Sequence, residues 1–138
     1  MKKIYFVRNG ETEANVARII AGGEYESPLT QKGKSQAKKA GQRLKDKNID
    51  TIVCSPMERT VDTATIIAKE VGIDPKAIIT DKAFIEVHNK YYSGKLYKTR
   101  LLHIKENRLV DDIEKPDVVK KRVEEGMARI KKLSGQNI

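Results

Sequence analysis

The sequence predicts an α/β fold with a mostly parallel sheet, built as one domain over residues 1–138. In the first half of the chain, short β-rich apolar runs alternate with amphipathic helical segments, the pattern of a layered α/β fold. The composition, 38% hydrophobic and 34% charged with both signs mixed, suits a globular domain and not a disordered chain. No apolar run approaches the roughly 20 residues that span a bilayer, so we expect no membrane association.

The first element is a predicted buried strand over residues 4–7, IYFV, which ends at a turn formed by Arg8, Asn9 and Gly10. A short helix or turn is expected over residues 11–19. Glycine and proline then mark a loop over residues 22–28.

The next segment, residues 31–47, predicts an amphipathic helix with Thr30 as its N-cap. Residues 51–54 predict a second strand. Ser55 and Pro56 then predict the cap and first position of a helix that runs to about Val71.

A third strand is expected over residues 77–80, and residues 84–87 extend or follow it. The pattern then becomes helical, weakly over residues 98–109 and more strongly over residues 117–133, where Pro116 precedes the helix. In parallel sheets, ligands bind beyond the carboxyl ends of the strands, so the turns at Arg8 and Ser55 are expected at the binding edge.

The net charge of +9 favours an anionic partner. With 5% aromatic residues and no Trp, the chain lacks the pattern of an RNA-binding sheet, and nucleic-acid binding is the disfavoured alternative. The single Cys54 excludes an internal disulfide and a cysteine-based zinc cluster. The short basic start without a long apolar stretch predicts a cytoplasmic protein.

Three motifs occur in order: RNGETEAN over residues 8–15, PLTQKG over residues 28–33 and SPMERT over residues 55–60. Together they resemble the phosphoglycerate mutase-like proteins of the histidine phosphatase superfamily. The resemblance implies a three-layer α/β/α sandwich. It also implies phosphomonoester hydrolysis or phosphoryl transfer through a phosphohistidine, without a metal or another cofactor.

The chemistry of the residues agrees with a phosphate site. A phosphoryl group requires fixed cationic donors, and arginine offers a bidentate fork that lysine lacks. Arg8 and Arg59 both follow predicted strands, and Asn15 adds an amide donor. Taken singly, each arginine is equally consistent with a surface ion pair. Their shared position at the binding edge favours phosphate or a phosphorylated small molecule as the ligand.

Asn9 is the main departure from the family pattern, which has the nucleophilic histidine at this position. The lone pair of an amide nitrogen is delocalised into the carbonyl, so Asn9 cannot attack phosphorus as a neutral imidazole does. Little or no activity is therefore expected. Two explanations remain open: an inactivating substitution in an enzyme, or a non-catalytic phosphate-binding or protein-interaction module, a pseudophosphatase.

The resemblance places the family's proton donor at Glu86, which is followed by an aromatic stretch and Gly94. A solvated carboxylate is the alternative for Glu86. His88 and His103 lie outside the motifs and are expected on the surface or in packing. Lys90 and Lys95 are expected near the mouth of the site, where they would attract an anion.

The family's second histidine lies in a Ser-His-Gly turn after a late strand that runs beside the first strand. Arg122 and Val123 match the helix that precedes this strand, but the sequence contains no such turn. A C-terminally truncated domain is therefore expected. Because unpaired strand edges tend to pair with other chains, we also expect an edge-paired or swapped homodimer. The sequence does not specify the substrate.

Overall fold

Five α-helices and two short parallel strands lie along residues 2–138, the part of the chain that the computed structural model describes. The helices are α1 (Glu13–Val16), α2 (Gln31–Leu44), α3 (Glu58–Val71), α4 (Tyr97–Lys105) and α5 (Pro116–Lys132). The strands are β1 (Val53–Cys54) and β2 (Ile79–Thr80). Single 3-10 turns cover Lys45–Lys47, Pro75–Ala77 and Lys82–Phe84. The α/β prediction is confirmed.

The sheet is parallel, and its strands are shorter than predicted. β1 pairs with β2, with Val53 opposite Ile79. On the other side of β1, the Asp50 N–H donates to the Asn137 carbonyl at 2.8 Å. Asn137 in turn forms a parallel bridge with Lys3. Residues 136–138 therefore lie between the start of the chain and the segment that leads into β1.

The prediction of a buried first strand over residues 4–7 is wrong. Only Lys3 forms a bridge, and the last ladder bond runs from the Tyr5 N–H to the Ile138 carbonyl at 2.7 Å. Phe6 is 79% exposed and Val7 is 45% exposed. A β-strand extends only as far as its backbone forms hydrogen bonds with a neighbouring strand. Within residues 2–138, none pairs with the backbone of Phe6 or Val7.

α2 forms as predicted because the sequence supplies an N-cap at Thr30 and a face of small residues that can be buried. The Thr30 hydroxyl accepts from the Gly33 N–H at 2.9 Å, which caps the helix. Gly33, Ala37 and Gly41 form the buried face. A Cβ on Gly41 would lie 2.7 Å from the Glu70 Cβ, so this glycine allows α2 and α3 to approach closely.

α3 begins later than predicted. Its N-cap is Met57 and not Ser55, whose hydroxyl forms a hydrogen bond with the Thr60 hydroxyl at 2.7 Å. The helix ends at Gly72, where a φ of 81° requires the left-handed conformation that glycine adopts readily.

The second half of the chain is helical, as expected, with different bounds. Phe84 closes a 3-10 turn, so residues 84–87 do not form the suggested strand. The Asp81 carboxylate caps that turn by accepting from the Ala83 N–H at 2.9 Å. α4 is shorter than residues 98–109, whereas α5 agrees closely with its prediction. In the described chain, every helix falls short of the length and apolar character needed to cross a bilayer.

Candidate functional site

One cleft of about 800 Å³ brings together the five residues predicted for the catalytic and phosphate-binding positions. They are Arg8, Asn9, Asn15, Arg59 and Glu86. The cleft lies beyond the carboxyl end of β1, where ligands bind in parallel α/β folds. Its wall also includes Arg18, Ser55, Thr60 and Tyr97.

Two glycines set the path of the first motif. The backbones of Gly10 and Gly33 cross so closely that a Cβ on Gly10 would lie 2.3 Å from the Gly33 carbonyl oxygen. The Gly10 N–H donates to the Thr63 hydroxyl of α3 at 3.2 Å. These contacts hold the turn against α2 and α3, and they place Arg8 and Asn9 at the cleft.

Asn9 is half-buried, and its side-chain amide donates to the Gly10 carbonyl at 2.9 Å. The side chain can hydrogen-bond a ligand, but it offers no nucleophilic nitrogen.

Asn15 is oriented by the capping of α1. Its side-chain oxygen accepts from the Thr12 N–H at 2.9 Å, while the Thr12 hydroxyl accepts from the Asn15 N–H at 3.2 Å. This reciprocal pair is a capping box. Within the described residues the amide nitrogen of Asn15 donates to no other protein group, so it is free to donate to a ligand.

Arg59 is the most rigid cation of the cleft, with 4% of its surface exposed. Its guanidinium donates to the Gly22 carbonyl at 2.8 Å and to the Tyr25 carbonyl at 3.1 Å. The same group donates to a carboxylate oxygen of Glu86 at 3.0 Å. The two backbone carbonyls hold the guanidinium of Arg59 in place. The guanidinium in turn holds the Glu86 carboxylate, although the Glu86 side chain is 59% exposed.

The balance of charge in the cleft favours an anion. Arg8, Arg18 and Arg59 supply three cations, whereas Glu86 is the acidic residue in the wall. Fixed positive charge lining a concave surface raises the local concentration of anions.

The N–H groups at the start of α3 are already engaged within the protein. The Glu58 N–H donates to the Glu26 carboxylate at 3.0 Å, so this end of the helix already holds an anionic group. The Thr60 and Val61 N–H groups both donate to the Met57 carbonyl. The side chains of Ser55 and Thr60 face the cleft instead.

The predicted lysines of the mouth do not line this cleft. The ammonium of Lys95 lies over the Tyr91 ring, 4.2 Å from its centroid. His88 contacts the Glu24 carboxylate through Nδ1 at 2.6 Å. His103 is buried, and its Nδ1 lies 3.0 Å from the Tyr92 hydroxyl, which agrees with the expected role in packing.

Arg18 and Tyr97 also line the cleft, although no motif in the sequence indicates them. Arg18 has a φ of 55°, a backbone conformation that residues other than glycine rarely adopt. Its carbonyl accepts from the Tyr97 N–H at 2.8 Å, so the two residues are held together. No local pattern predicts this contact, because it joins the end of α1 to the start of α4 across a long stretch of sequence.

Along residues 2–138, no group of three or more His, Cys, Asp or Glu side chains is arranged to hold a metal ion. The donors in the cleft are guanidinium, amide and hydroxyl groups, which suit an oxyanion ligand.

Among curated proteins, the chain is similar to "Probable phosphoglycerate mutase GpmB" of Photorhabdus laumondii. The two are 43% identical over 88 residues, which is 64% of this chain and 39% of the relative. The corresponding protein of Proteus mirabilis is 44% identical over 87 residues, 63% of this chain and 39% of the relative. The chain therefore spans about two fifths of the length of these relatives.

Two solved structures have the same fold. YhfR of Bacillus stearothermophilus has a TM-score of 0.82 and 26% identity, with 98% of this chain and 70% of that chain covered. A mycobacterial glucosyl-3-phosphoglycerate phosphatase solved with VO3 has a TM-score of 0.76 and 21% identity, covering 88% of this chain and 63% of that chain. The family model of the histidine phosphatase superfamily (branch 1) matches residues 4–138. The chain belongs to this superfamily, in agreement with the motifs that line its cleft.

Proposed function

We propose that this chain is a phosphoglycerate mutase-like domain that binds phosphate or a phosphorylated small molecule in the cleft, with little or no turnover. The observation that carries this proposal is the convergence of Arg8, Asn15 and Arg59 on one cleft. Two guanidinium groups and an amide supply the directed donors that a phosphoryl group requires. Glu86 beside Arg59 completes the set of predicted residues.

The parent chemistry would be phosphomonoester hydrolysis or phosphoryl transfer through a phosphohistidine. In that reaction an imidazole lone pair forms a bond to phosphorus while the bond to the leaving oxygen breaks. Asn9 occupies the position of the imidazole, and its amide nitrogen has no available lone pair. Binding of the phosphoryl group is retained in this proposal, and its covalent transfer is lost.

Glu86 is assigned the position of the proton donor. A protonated carboxyl at this place would deliver its proton to the leaving oxygen of the ester. Its contact with Arg59 keeps the carboxyl next to the phosphate binders, since the two groups lie 3.0 Å apart.

A pseudophosphatase role is the second candidate, and Asn9 is the observation that favours it. A non-catalytic module would use the same arginines to recognise a phosphorylated ligand. The two candidates differ in whether restoring a nucleophile restores transfer.

Hydrolysis of a generic phosphomonoester, compared between the unmodified chain and Asn9→His, tests the proposal. We expect no hydrolysis above the buffer rate and no acid-labile phosphoenzyme from the unmodified chain. Formation of a phosphoenzyme by Asn9→His would identify position 9 as the nucleophile position. Hydrolysis by the unmodified chain at a rate equal to that of Asn9→His would contradict the proposal.

Two properties of the whole protein are proposed with this function. A cytoplasmic location agrees with Cys54, which is free and buried. A homodimer agrees with the exposed Phe6 and with an apolar cleft of about 230 Å³ between residues 4–7 and 51–54. Beside this second cleft, the backbone of Phe6 and Val7 has no partner within residues 2–138 and is available to pair with another chain.

A further inference from the structure

The segment that carries Glu86 is attached to α5 by one arginine. Arg122 donates through Nη1 to the Ala83 carbonyl at 2.7 Å and to the Ile85 carbonyl at 2.8 Å. Ile85 immediately precedes Glu86. Because one guanidinium nitrogen holds two carbonyls, the backbone on this side of Glu86 has little freedom to move.

The backbone that follows Glu86 is attached to Glu114, the residue that pairs with Arg122. Glu114 accepts from Arg122 at 2.7 and 2.8 Å in a bidentate pair. The same carboxylate accepts from the His88 N–H at 3.2 Å. The Glu114 N–H donates back to the His88 carbonyl at 2.8 Å.

Arg122 and Glu114 together hold the backbone on both sides of Glu86, at residues 83 and 85 before it and at His88 after it. Both residues are mostly buried, with 19% of the Arg122 side chain and 9% of the Glu114 side chain exposed. Charge-assisted bidentate hydrogen bonds with little solvent competition hold their geometry well. Glu86 itself is much more exposed and makes one side-chain contact, with Arg59.

We infer that Arg122 and Glu114 are positioning residues that hold the Glu86 carboxyl beside Arg59. Neither residue lines the cleft, so each acts through the backbone of residues 85–88. The inference rests on the proposed function in one respect, the use of Glu86 beside a bound phosphoryl group.

A matched control lies on the same helix. Arg129 forms a bidentate pair with Asp81, with both hydrogen bonds at 2.8 Å. That pair also attaches α5 to the chain before Glu86, but it does so at the start of the 3-10 turn. Arg129→Gln therefore removes the same charge and the same type of contact from α5 without releasing residues 85–88.

The test is a double-mutant cycle read out by orthovanadate affinity. We expect Arg122→Gln to change vanadate affinity by about fivefold in the chain that contains Glu86, because the carboxyl is no longer held beside Arg59. In the Glu86→Ala background, the same change should alter the affinity by less than about twofold, because no carboxyl remains to be positioned. Arg129→Gln should leave the affinity unchanged in both backgrounds.

A second readout needs no ligand. The guanidinium N–H resonances of Arg59 report its pair with Glu86, and Arg122→Gln should shift them in the same direction as Glu86→Ala. If Arg122→Gln fails to fold, Arg122→Lys serves instead, because an ammonium keeps the charge but cannot reproduce the fork. Equal changes in affinity in both Glu86 backgrounds, or an unchanged Arg59 spectrum in the folded variant, would overturn the inference. Absence of vanadate binding to the unmodified chain would count against the proposed function instead.

Discussion

At the scale of single residues, neighbouring groups decide what each charged side chain can do. Arg59 is buried and has three hydrogen-bond acceptors, so it is a preorganised cation. Glu114 is similarly fixed, and its pair with Arg122 lowers the pKa of that carboxyl from 4.5 to about 2. Asn9 donates from its side-chain amide to the Gly10 carbonyl, so it can hydrogen-bond a ligand but offers no nucleophilic nitrogen.

The depressed pKa of Glu114 predicts how stability depends on pH. A carboxyl with a lower pKa in the folded state stabilises the fold above its unfolded pKa, and this stabilisation disappears as the pH falls through the folded pKa. The contribution of Glu114 should therefore be complete above about pH 5 and be lost towards pH 2.

Urea unfolding between pH 6 and pH 2 measures this effect. Over that range, we expect the unmodified chain to lose about 1–3 kcal/mol more free energy of unfolding than Glu114→Gln does. If the free energy of unfolding depended on pH equally in the two proteins, the pair of Glu114 and Arg122 would contribute nothing to the pH dependence, and the prediction would be wrong. Asp81→Asn provides a comparison, since Arg129 also lowers the pKa of Asp81.

The cleft residues were predictable from the sequence where they belong to a motif, as for Arg8, Asn9 and Arg59. Arg18 was not, because its place in the cleft depends on a left-handed backbone and on a contact with α4. Arg122 stood out only as part of a helix pattern. Its contacts with residues 83 and 85 are long-range, and no local pattern encodes them.

At the scale of elements, helices were predicted better than strands. α2 has the Thr30 cap, α5 begins at Pro116, and both have helical periodicity, so their bounds follow from nearby residues. A strand depends on a partner that is distant in sequence, so residues 4–7 could not be judged from their own apolar character. β1 and β2 are also shorter than predicted, because their length is set by where they pair with each other and not by their own apolar residues.

The unpaired segment at Phe6 predicts self-association. Phe6 is 79% exposed beside the apolar cleft between residues 4–7 and 51–54, and its backbone pairs with no other described residue. We expect sedimentation velocity to show a concentration-dependent dimer that Phe6→Ser abolishes. Val16→Ser is the control, because Val16 is another exposed apolar residue, at 62%, but lies on α1. A strictly monomeric profile at high concentration would contradict the dimer.

At the scale of the whole molecule, the fold gathers residues from distant parts of the sequence into one cleft. Arg8 comes from the first motif, Arg59 from α3 and Glu86 from the segment before α4. The net charge of +9 is spread more widely, since Lys90 and Lys95 lie outside the cleft wall. In the proposed function, the local arrangement of arginines, and not the overall charge, specifies a phosphoryl ligand.

Titration of the unmodified chain with orthovanadate, followed by calorimetry, tests this central claim most directly. We expect saturable binding that Arg8→Gln weakens at least about tenfold, because a charge-assisted hydrogen bond contributes roughly 1.5–3 kcal/mol. Lys34→Gln removes the same charge from an exposed position on α2 and should change the affinity by less than about twofold. No binding, or equal losses in the two variants, would contradict an anion site built from Arg8, Asn15 and Arg59.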